Sequence, residues 1–297
     1  MNIYNSIYSQ DNRIYVDWDI LYKCNLKCSY CYLGKTLNKK VDNIKYDNFL
    51  DILFLIKYDF TLGLLGGEPS QSKYYFKILE KLSNYFKNNI LSEAYVSTNL
   101  TKSVEWYKNH KKYKNIHHWV SIHPEYYYNK IDELYLKLKT LEKNTHSQLI
   151  ISPMLMSKKY NAFYKEVYQI FKNIQKNSKI EIIYSPQYVF DNEEHYNTVD
   201  FPPSNSLYNQ SKKEFGINNK EFTINEVIYN GLYMTNNCKC YSNYFTIDPE
   251  FNYVSDCNHV NGSINNPVKL LKDFVPKIIN CSYDKCDDFP KMLSKKC

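Results

Sequence analysis

Cys24, Cys28 and Cys31 stand together in the stretch Cys24-Asn25-Leu26-Lys27-Cys28-Ser29-Tyr30-Cys31, directly after an alternating apolar segment, Ile14 to Tyr22. Alternation with a period of two marks a strand, so the thiols belong on a loop leaving a strand's carboxyl end. A C-x3-C-x2-C loop can bring three thiolates onto one small inorganic cluster. Such clusters otherwise take four cysteines, so three would leave one iron of a 4Fe–4S cube open to a further ligand. A zinc site and reduced core thiols compete with this reading. Zinc knuckles, however, pair two close Cys/His couples, and no second couple follows within about forty residues.

Downstream, strand-like and helix-like periodicities alternate. Lys45 to Lys57 carries apolar residues at helical spacing, and Phe60 to Leu65 is a short apolar run ending in Gly66-Gly67-Glu68-Pro69. Tyr74 to Phe86 is helical; Leu91 to Val96 is strand-like and ends in Ser97-Thr98-Asn99. Val104 to His110 follows as a helix, then Ile116 to Ile122 as a strand running into His123-Pro124-Glu125, then Ile131 to Leu141 as a helix. Gln148 to Ile151 reads as a strand leading into Ser152-Pro153-Met154, Tyr160 to Ile174 as a helix, and Ile180 to Tyr184 as a strand ending at Ser185-Pro186. Six such alternations predict an α/β fold of parallel βαβ units with right-handed crossovers. Eight would close a barrel, so the expected architecture is a partial, TIM-like (β/α)6 barrel. Each polar tripeptide falls at a strand's carboxyl end, where such folds carry their active sites.

The cysteine triplet, with Tyr30 before its last member and Gly66-Gly67-Glu68-Pro69 one strand later, resembles the radical S-adenosylmethionine (radical SAM) family. The resemblance implies that Cys24, Cys28 and Cys31 hold a 4Fe–4S cluster whose open iron is chelated by the amino and carboxylate groups of SAM. Reductive cleavage of SAM would give a 5′-deoxyadenosyl radical that abstracts a hydrogen atom from a substrate. It further implies that Tyr30 flanks the adenine, that Gly66, Gly67, Glu68 and Pro69 hold the methionyl amino group, and that Ser97, Asn99, Ser121 and His123 contact the methionyl and ribose portions. Two adjacent glycines suit such a task because they let backbone approach a ligand closely. One feature departs from the family. Many relatives set an arginine near the fifth or sixth strand against SAM's carboxylate, but the single arginine here is Arg13, before the first strand. Lys158 or Lys159 could substitute as a point charge; ordinary surface lysines are the other reading.

Past Pro186 the chain turns polar and irregular, which places a boundary near 190. Residues 1–190 form the expected core, and 191–297 a linker and a small C-terminal cysteine-rich α+β domain. The tail holds Cys238, Cys240, Cys257, Cys281, Cys286 and Cys297. Two alternating runs between Tyr244 and Val254, about an Ile247-Asp248-Pro249-Glu250-Phe251-Asn252 turn, predict a hairpin, and Val268 to Phe274 predicts a helix. The hairpin resembles that of the SPASM and twitch extensions of radical SAM enzymes, with Phe251 replacing the usual glycine. That resemblance implies one auxiliary 4Fe–4S cluster on Cys240, Cys257, Cys281 and Cys286, with Cys238 able to replace Cys240. Whichever of Cys238 and Cys240 is not a ligand becomes a candidate hydrogen-atom donor. A structural zinc is the alternative for the same thiolates. Cys297, in a Lys-rich end, has no assigned role.

The formal net charge is +7, but the lysines are dispersed along the chain, which disfavours a nucleic-acid footprint. No apolar run reaches the length of a membrane span, and the N-terminal residues lack a signal peptide's layout. A cytoplasmic setting is therefore expected, where nine cysteines argue for metal or cluster ligation over disulfides. The resemblance also implies a ribosomally made peptide as substrate, to be crosslinked or epimerised, and an electron donor such as flavodoxin or ferredoxin. A small molecule or nucleotide, a partner enzyme activated by a protein radical, and a non-catalytic metal-binding module are the alternatives.

Overall fold

β1 (Ile14–Asp19) splits its side chains by the strand period: Ile14, Val16 and Trp18 are buried on one face, while Asp17 and Asp19 are half-buried on the other. The division is cleanest in β4 (Ile116–Ile122) and β6 (Ile182–Tyr184) and partial in β3 (Glu93–Thr98), whereas β2 (Phe60–Leu65) and β5 (Leu149–Leu155) are buried on both faces along most of their length. These strands pair in parallel in chain order, with Ile14 opposite Phe60, Ala94 opposite Ile116 and Leu149 opposite Ile182. The computed structural model describes residues 13–31, 33–41, 46–56, 58–87, 93–156, 158–185, 187–188, 239–255, 261–263, 265–275 and 277–280.

Between the strands run α1 (Tyr46–Leu53), α2 (Tyr75–Lys87), α3 (Val104–Lys108), the single turn α4 (Pro124–Tyr127), α5 (Ile131–Asn144) and α6 (Asn161–Asn177). They cover the apolar face of the sheet in two cores. One joins Val16, Trp18, Phe49, Leu62, Leu79 and Val96; the other joins Val120, Leu138, Ile151, Phe163 and Val167. Each such side chain, fully buried, contributes about 1.5–3 kcal/mol. The opposite face, bearing Asp17, Gly63, Tyr95, Trp119 and Ser121, is thereby left for the interior of the barrel.

This is the mixed α/β, partial-barrel architecture expected, with two refinements. β5 extends to Leu155, so Ser152-Pro153-Met154 lies within the strand rather than after it. Pro153 is tolerated because β6 pairs with β5 only as far as Ile151, and β7 (Gln187–Tyr188) takes over at Met154, so no ladder donor is missed. The predicted tail hairpin, β9 (Tyr244–Ile247) and β10 (Asn252–Ser255), is not separate from the barrel sheet. β9 pairs in parallel with β1, Tyr15 opposite Tyr244, and the strand order becomes β11-β10-β9-β1-β2-β3-β4-β5-β6, where β11 is Asn261–Ser263. A second small sheet pairs β8 (Lys239–Ser242) with β12 (Lys277–Asn280), and α7 (Pro267–Asp273) packs Leu270 into the core of β1 and β2. The proposed boundary near 190 lies outside the described residues.

At the hairpin turn Phe251 adopts φ 65, the left-handed region that explains a glycine at this position in related turns. Here the cost is offset by packing: its ring lies 5.4 Å from Phe49 and 6.1 Å from Trp18. The hairpin is thus fastened to the core beside the strand that carries the cysteine loop.

Candidate active site

β1 ends at Asp19, and the chain turns across the carboxyl ends of the neighbouring strands. Cys24, Cys28 and Cys31 are free, partly buried thiols on this loop. Its first half docks on the end of β3. Asn99 Nδ2 donates to Asn25 Oδ1 at 3.1 Å and reaches Cys24 Sγ at 3.7 Å, while Asn25 Nδ2 donates to Thr101 Oγ1 at 2.6 Å. The second half docks on the end of β4. Cys28 Sγ lies 3.3 Å and Tyr30 Oη 2.8 Å from His123 Nδ1, and Ser29 donates from its amide and hydroxyl to Glu125 at 3.2 and 2.9 Å. Tyr30 and His123 also stack, with ring centroids 5.9 Å apart.

Gly66 and Gly67 brace the loop from below. Gly67 N donates to Leu21 O at 2.8 Å and Glu68 N to Lys23 O at 2.9 Å. A Cβ on Gly67 would sit 2.2 Å from Lys23 O, and one on Gly66, whose φ is +116, would sit 2.4 Å from Leu21 O. The glycines are therefore required here by the close crossing of two backbone segments, a cause the sequence reading did not foresee. Pro69 follows, buried, at the start of a short 3-10 turn.

Glu68 is 1% exposed, and its side chain is fully engaged. It accepts from Ser70 N at 3.1 Å, Thr98 Oγ1 at 2.9 Å and Asn99 N at 2.6 Å. The carboxylate thus ties the Gly-Gly turn to the end of β3, and burial raises its pKa despite those donors. Ser97 and Ser121 are half-buried on the barrel's interior face. Tyr127, in the run Tyr126-Tyr127-Tyr128, is fully buried. Its hydroxyl donates to Leu100 O at 2.6 Å, bracing a residue with φ 58.

Arg13 lies at the amino-terminal end of the barrel beside Glu93, at 3.6 Å. Lys159 lies over the Tyr160 ring, 4.8 Å from its centroid. Glu125, Asn25 and Thr101 are site-building residues that the sequence reading passed over. The signal for Glu125 was available: it ends a His-Pro-Glu step at a strand's carboxyl end. Cys238, Cys257, Cys281, Cys286 and Cys297 lie outside the described residues, and of Cys240 only the backbone, in β8, is described.

Electrostatics make the loop a poor home for bare thiolates. Burial raises the pKa of Cys24, helped by the charges of Glu68 and Cys31. It pushes Cys28 up to about 12, helped by Glu125, Cys24 and Cys31. Deprotonation therefore calls for a cationic partner, the effect a bound metal centre exerts. Among the described residues no group of three His, Cys, Asp or Glu is gathered tightly enough for one metal ion. Burial holds His123 down to about 4, so its imidazole is neutral.

No protein-family model matches the chain. One curated relative, an uncharacterized protein of Methanocaldococcus jannaschii, is 33% identical over 67 residues, which is 23% of this chain and 22% of that protein. The chain therefore spans about a fifth of that relative's length. Solved structures that share its fold include two bound to S-adenosylmethionine. One is anSMEcpe with bound AdoMet and Kp18Cys peptide, with a TM-score of 0.55 and 16% identity over 89% of this chain and 83% of that one. The other is Streptococcus suis SuiB bound to S-adenosylmethionine, with a TM-score of 0.53 and 14% identity over 89% of this chain and 65% of that one. An open α/β barrel with a cysteine loop at its strand ends is thus the class to which the architecture belongs. It is the fold of these two proteins, each solved with S-adenosylmethionine bound.

Proposed function

We propose that the protein is a radical SAM enzyme and that its substrate is a ribosomally made peptide. The observation that carries this reading is the cysteine loop itself: three thiols on the barrel's open end, braced by Gly66 and Gly67 and docked on two strand ends. When bound, a 4Fe–4S cluster on Cys24, Cys28 and Cys31 would supply the electron that cleaves SAM.

The chain's own residues then have distinct tasks. Cys24, Cys28 and Cys31 hold the cluster. Gly66 to Pro69 present backbone to the methionyl amino group, with Glu68 setting the height of that turn through Thr98 and Asn99. Asn99, Ser97, Ser121 and His123 line the ledge on which the rest of SAM would lie, and Tyr30 flanks its adenine.

A peptide substrate is supported by anSMEcpe, which was solved with a peptide bound. For the tail, residues 1–190 and 191–297 remain the proposed units, with an auxiliary cluster on Cys240, Cys257, Cys281 and Cys286. Cys238 or Cys240 is the proposed hydrogen-atom donor if the product is an epimer. Flavodoxin or ferredoxin is the proposed electron donor and the cytoplasm the proposed setting. No helix among the described residues is long and apolar enough to cross a membrane.

Iron and sulfide counts on anaerobically reconstituted protein test the reading. About eight irons per chain are expected for two clusters of the 4Fe–4S type, falling to about four when Cys24, Cys28 and Cys31 become alanine. Retention of the full count in that variant would remove the assignment. Mass spectrometry of product made in deuterated water separates the two peptide chemistries: a crosslink loses two hydrogens, whereas an epimer gains a deuteron.

A further inference from the structure

The two halves of the cysteine loop are held by different strands, and the β4 dock uses residues to which the reading above gives no such task. Glu125, immediately after Pro124 in α4, faces Ser29 with both carboxylate oxygens, one toward the amide and one toward the hydroxyl. Two residues earlier, His123 Nδ1 is within reach of both Cys28 Sγ and Tyr30 Oη. Cys31 N donates to Cys28 O at 3.2 Å, so a fixed Cys28 also fixes the turn that presents Cys31. None of these contacts needs a cluster to form.

We propose that Glu125 and His123 are positioning residues that dock Cys28 to Cys31 on the end of β4, setting two of the three thiols in place before a cluster is bound. The inference rests on the radical SAM reading for its consequence but not for its geometry. His123 Nδ1 lies 3.3 Å from Cys28 Sγ and 2.8 Å from Tyr30 Oη, so one ring atom holds both side chains to the end of β4. With a cluster held by Cys28, a hydrogen bond from the His123 ring to Cys28 Sγ would raise its potential, because hydrogen bonds to cluster sulfurs set reduction potential.

Three variants test the proposal. Glu125→Gln keeps the side chain's shape while weakening its acceptance from Ser29. Ser29→Ala removes the hydroxyl from the other side of the same contact. His123→Phe retains a ring to stack on Tyr30 but lacks the N–H. In the full chain without cluster, amide exchange of residues 28–31 is expected to quicken about three- to tenfold in Glu125→Gln, as for a lost charge-assisted contact at an exposed position. The Ser29→Ala/Glu125→Gln double variant should add little to this, and exchange at Leu100, in the β3 dock, should be unchanged. In reconstituted protein the midpoint potential of the N-terminal cluster is expected to move negative in His123→Phe, with iron content retained.

Unaltered exchange at residues 28–31 in Glu125→Gln, or an unmoved potential in His123→Phe, would overturn the proposal. A chain that takes up no iron or sulfide would defeat the radical SAM reading instead, and the exchange measurement would still decide whether the dock exists.

Discussion

The hydroxyl of Tyr244 in β9 donates to the carboxylate of Asp17 in β1, 227 positions earlier, and Tyr95 of β3 donates to the other carboxylate oxygen. One half-buried acid thus holds the C-terminal hairpin and the third strand to the interior of the barrel. Tyr244→Phe leaves that carboxylate short of a donor and should cost about 1–3 kcal/mol in denaturant unfolding.

Asp17 also carries a pH signature. Burial raises its pKa above the ordinary 3.8, outweighing the two phenols that lower it. The folded chain therefore holds this proton more tightly than the unfolded chain does. Its contribution to stability is greatest below 3.8 and is lost as pH rises through the folded value. Asp17→Asn removes that loss. Urea melts across pH should show wild-type stability falling relative to the variant through this window, then running parallel above it.

Glu68, also raised by burial, accepts from three donors. Glu68→Ala leaves the donors of Ser70, Thr98 and Asn99 unmatched and should destabilise by about 3–5 kcal/mol; Glu68→Gln, which retains one acceptor oxygen, by about 1–3 kcal/mol. Denaturant melts measure both, and amide exchange at Asn99 should quicken in each.

Two glycines in the same region should behave differently. A methyl at Gly67 meets the backbone of Lys23, so Gly67→Ala must displace the segment leading into the cysteine loop and is expected to abolish most iron uptake. Gly34 has nothing within 4 Å of its added Cβ but holds φ +46. Gly34→Ala should cost about 1 kcal/mol of stability with iron uptake retained.

A pair of buried histidines behind β4 predicts loss of stability in acid. His110 Nδ1 donates to Tyr107 O at 3.0 Å, so its neutral Nε2 accepts from Tyr75 Oη at 2.9 Å. His118 packs 4.8 Å from it. Burial holds His110 down to about 4 and His118 well below 6.5. Below 6.5 the unfolded chain takes up protons that the folded chain refuses. Stability should fall with decreasing pH by up to about 1.4 kcal/mol per pH unit for each histidine. His118→Phe should flatten that slope in urea melts between pH 6.5 and 4.

Much of the barrel was legible from periodicity, because its strands are buried on the helix-facing side and bounded by polar steps. Phe60–Leu65 and Ile116–Ile122 match their apolar runs end to end. β5 was read short because proline ordinarily stops a strand, and only the handover from β6 to β7 makes room for Pro153. The attachment of the hairpin to β1 was not legible: parallel pairing across so long a separation leaves no local pattern. Three consecutive tyrosines at a helix start do not reveal which one faces the core, and the structure singles out Tyr127. The cysteine loop, Gly66-Gly67 and Asn99 were found as a set, but what each touches was not. The glycines answer to Leu21 and Lys23, and His123 answers to Cys28 and Tyr30.

The most direct test of the proposed chemistry is the release of 5′-deoxyadenosine from SAM by anaerobically reconstituted protein in the presence of dithionite. Release is expected from the wild-type chain, and none from the chain in which Cys24, Cys28 and Cys31 are alanine. An iron-loaded wild-type protein that releases no 5′-deoxyadenosine, or a triple variant that releases as much as wild type, would contradict it.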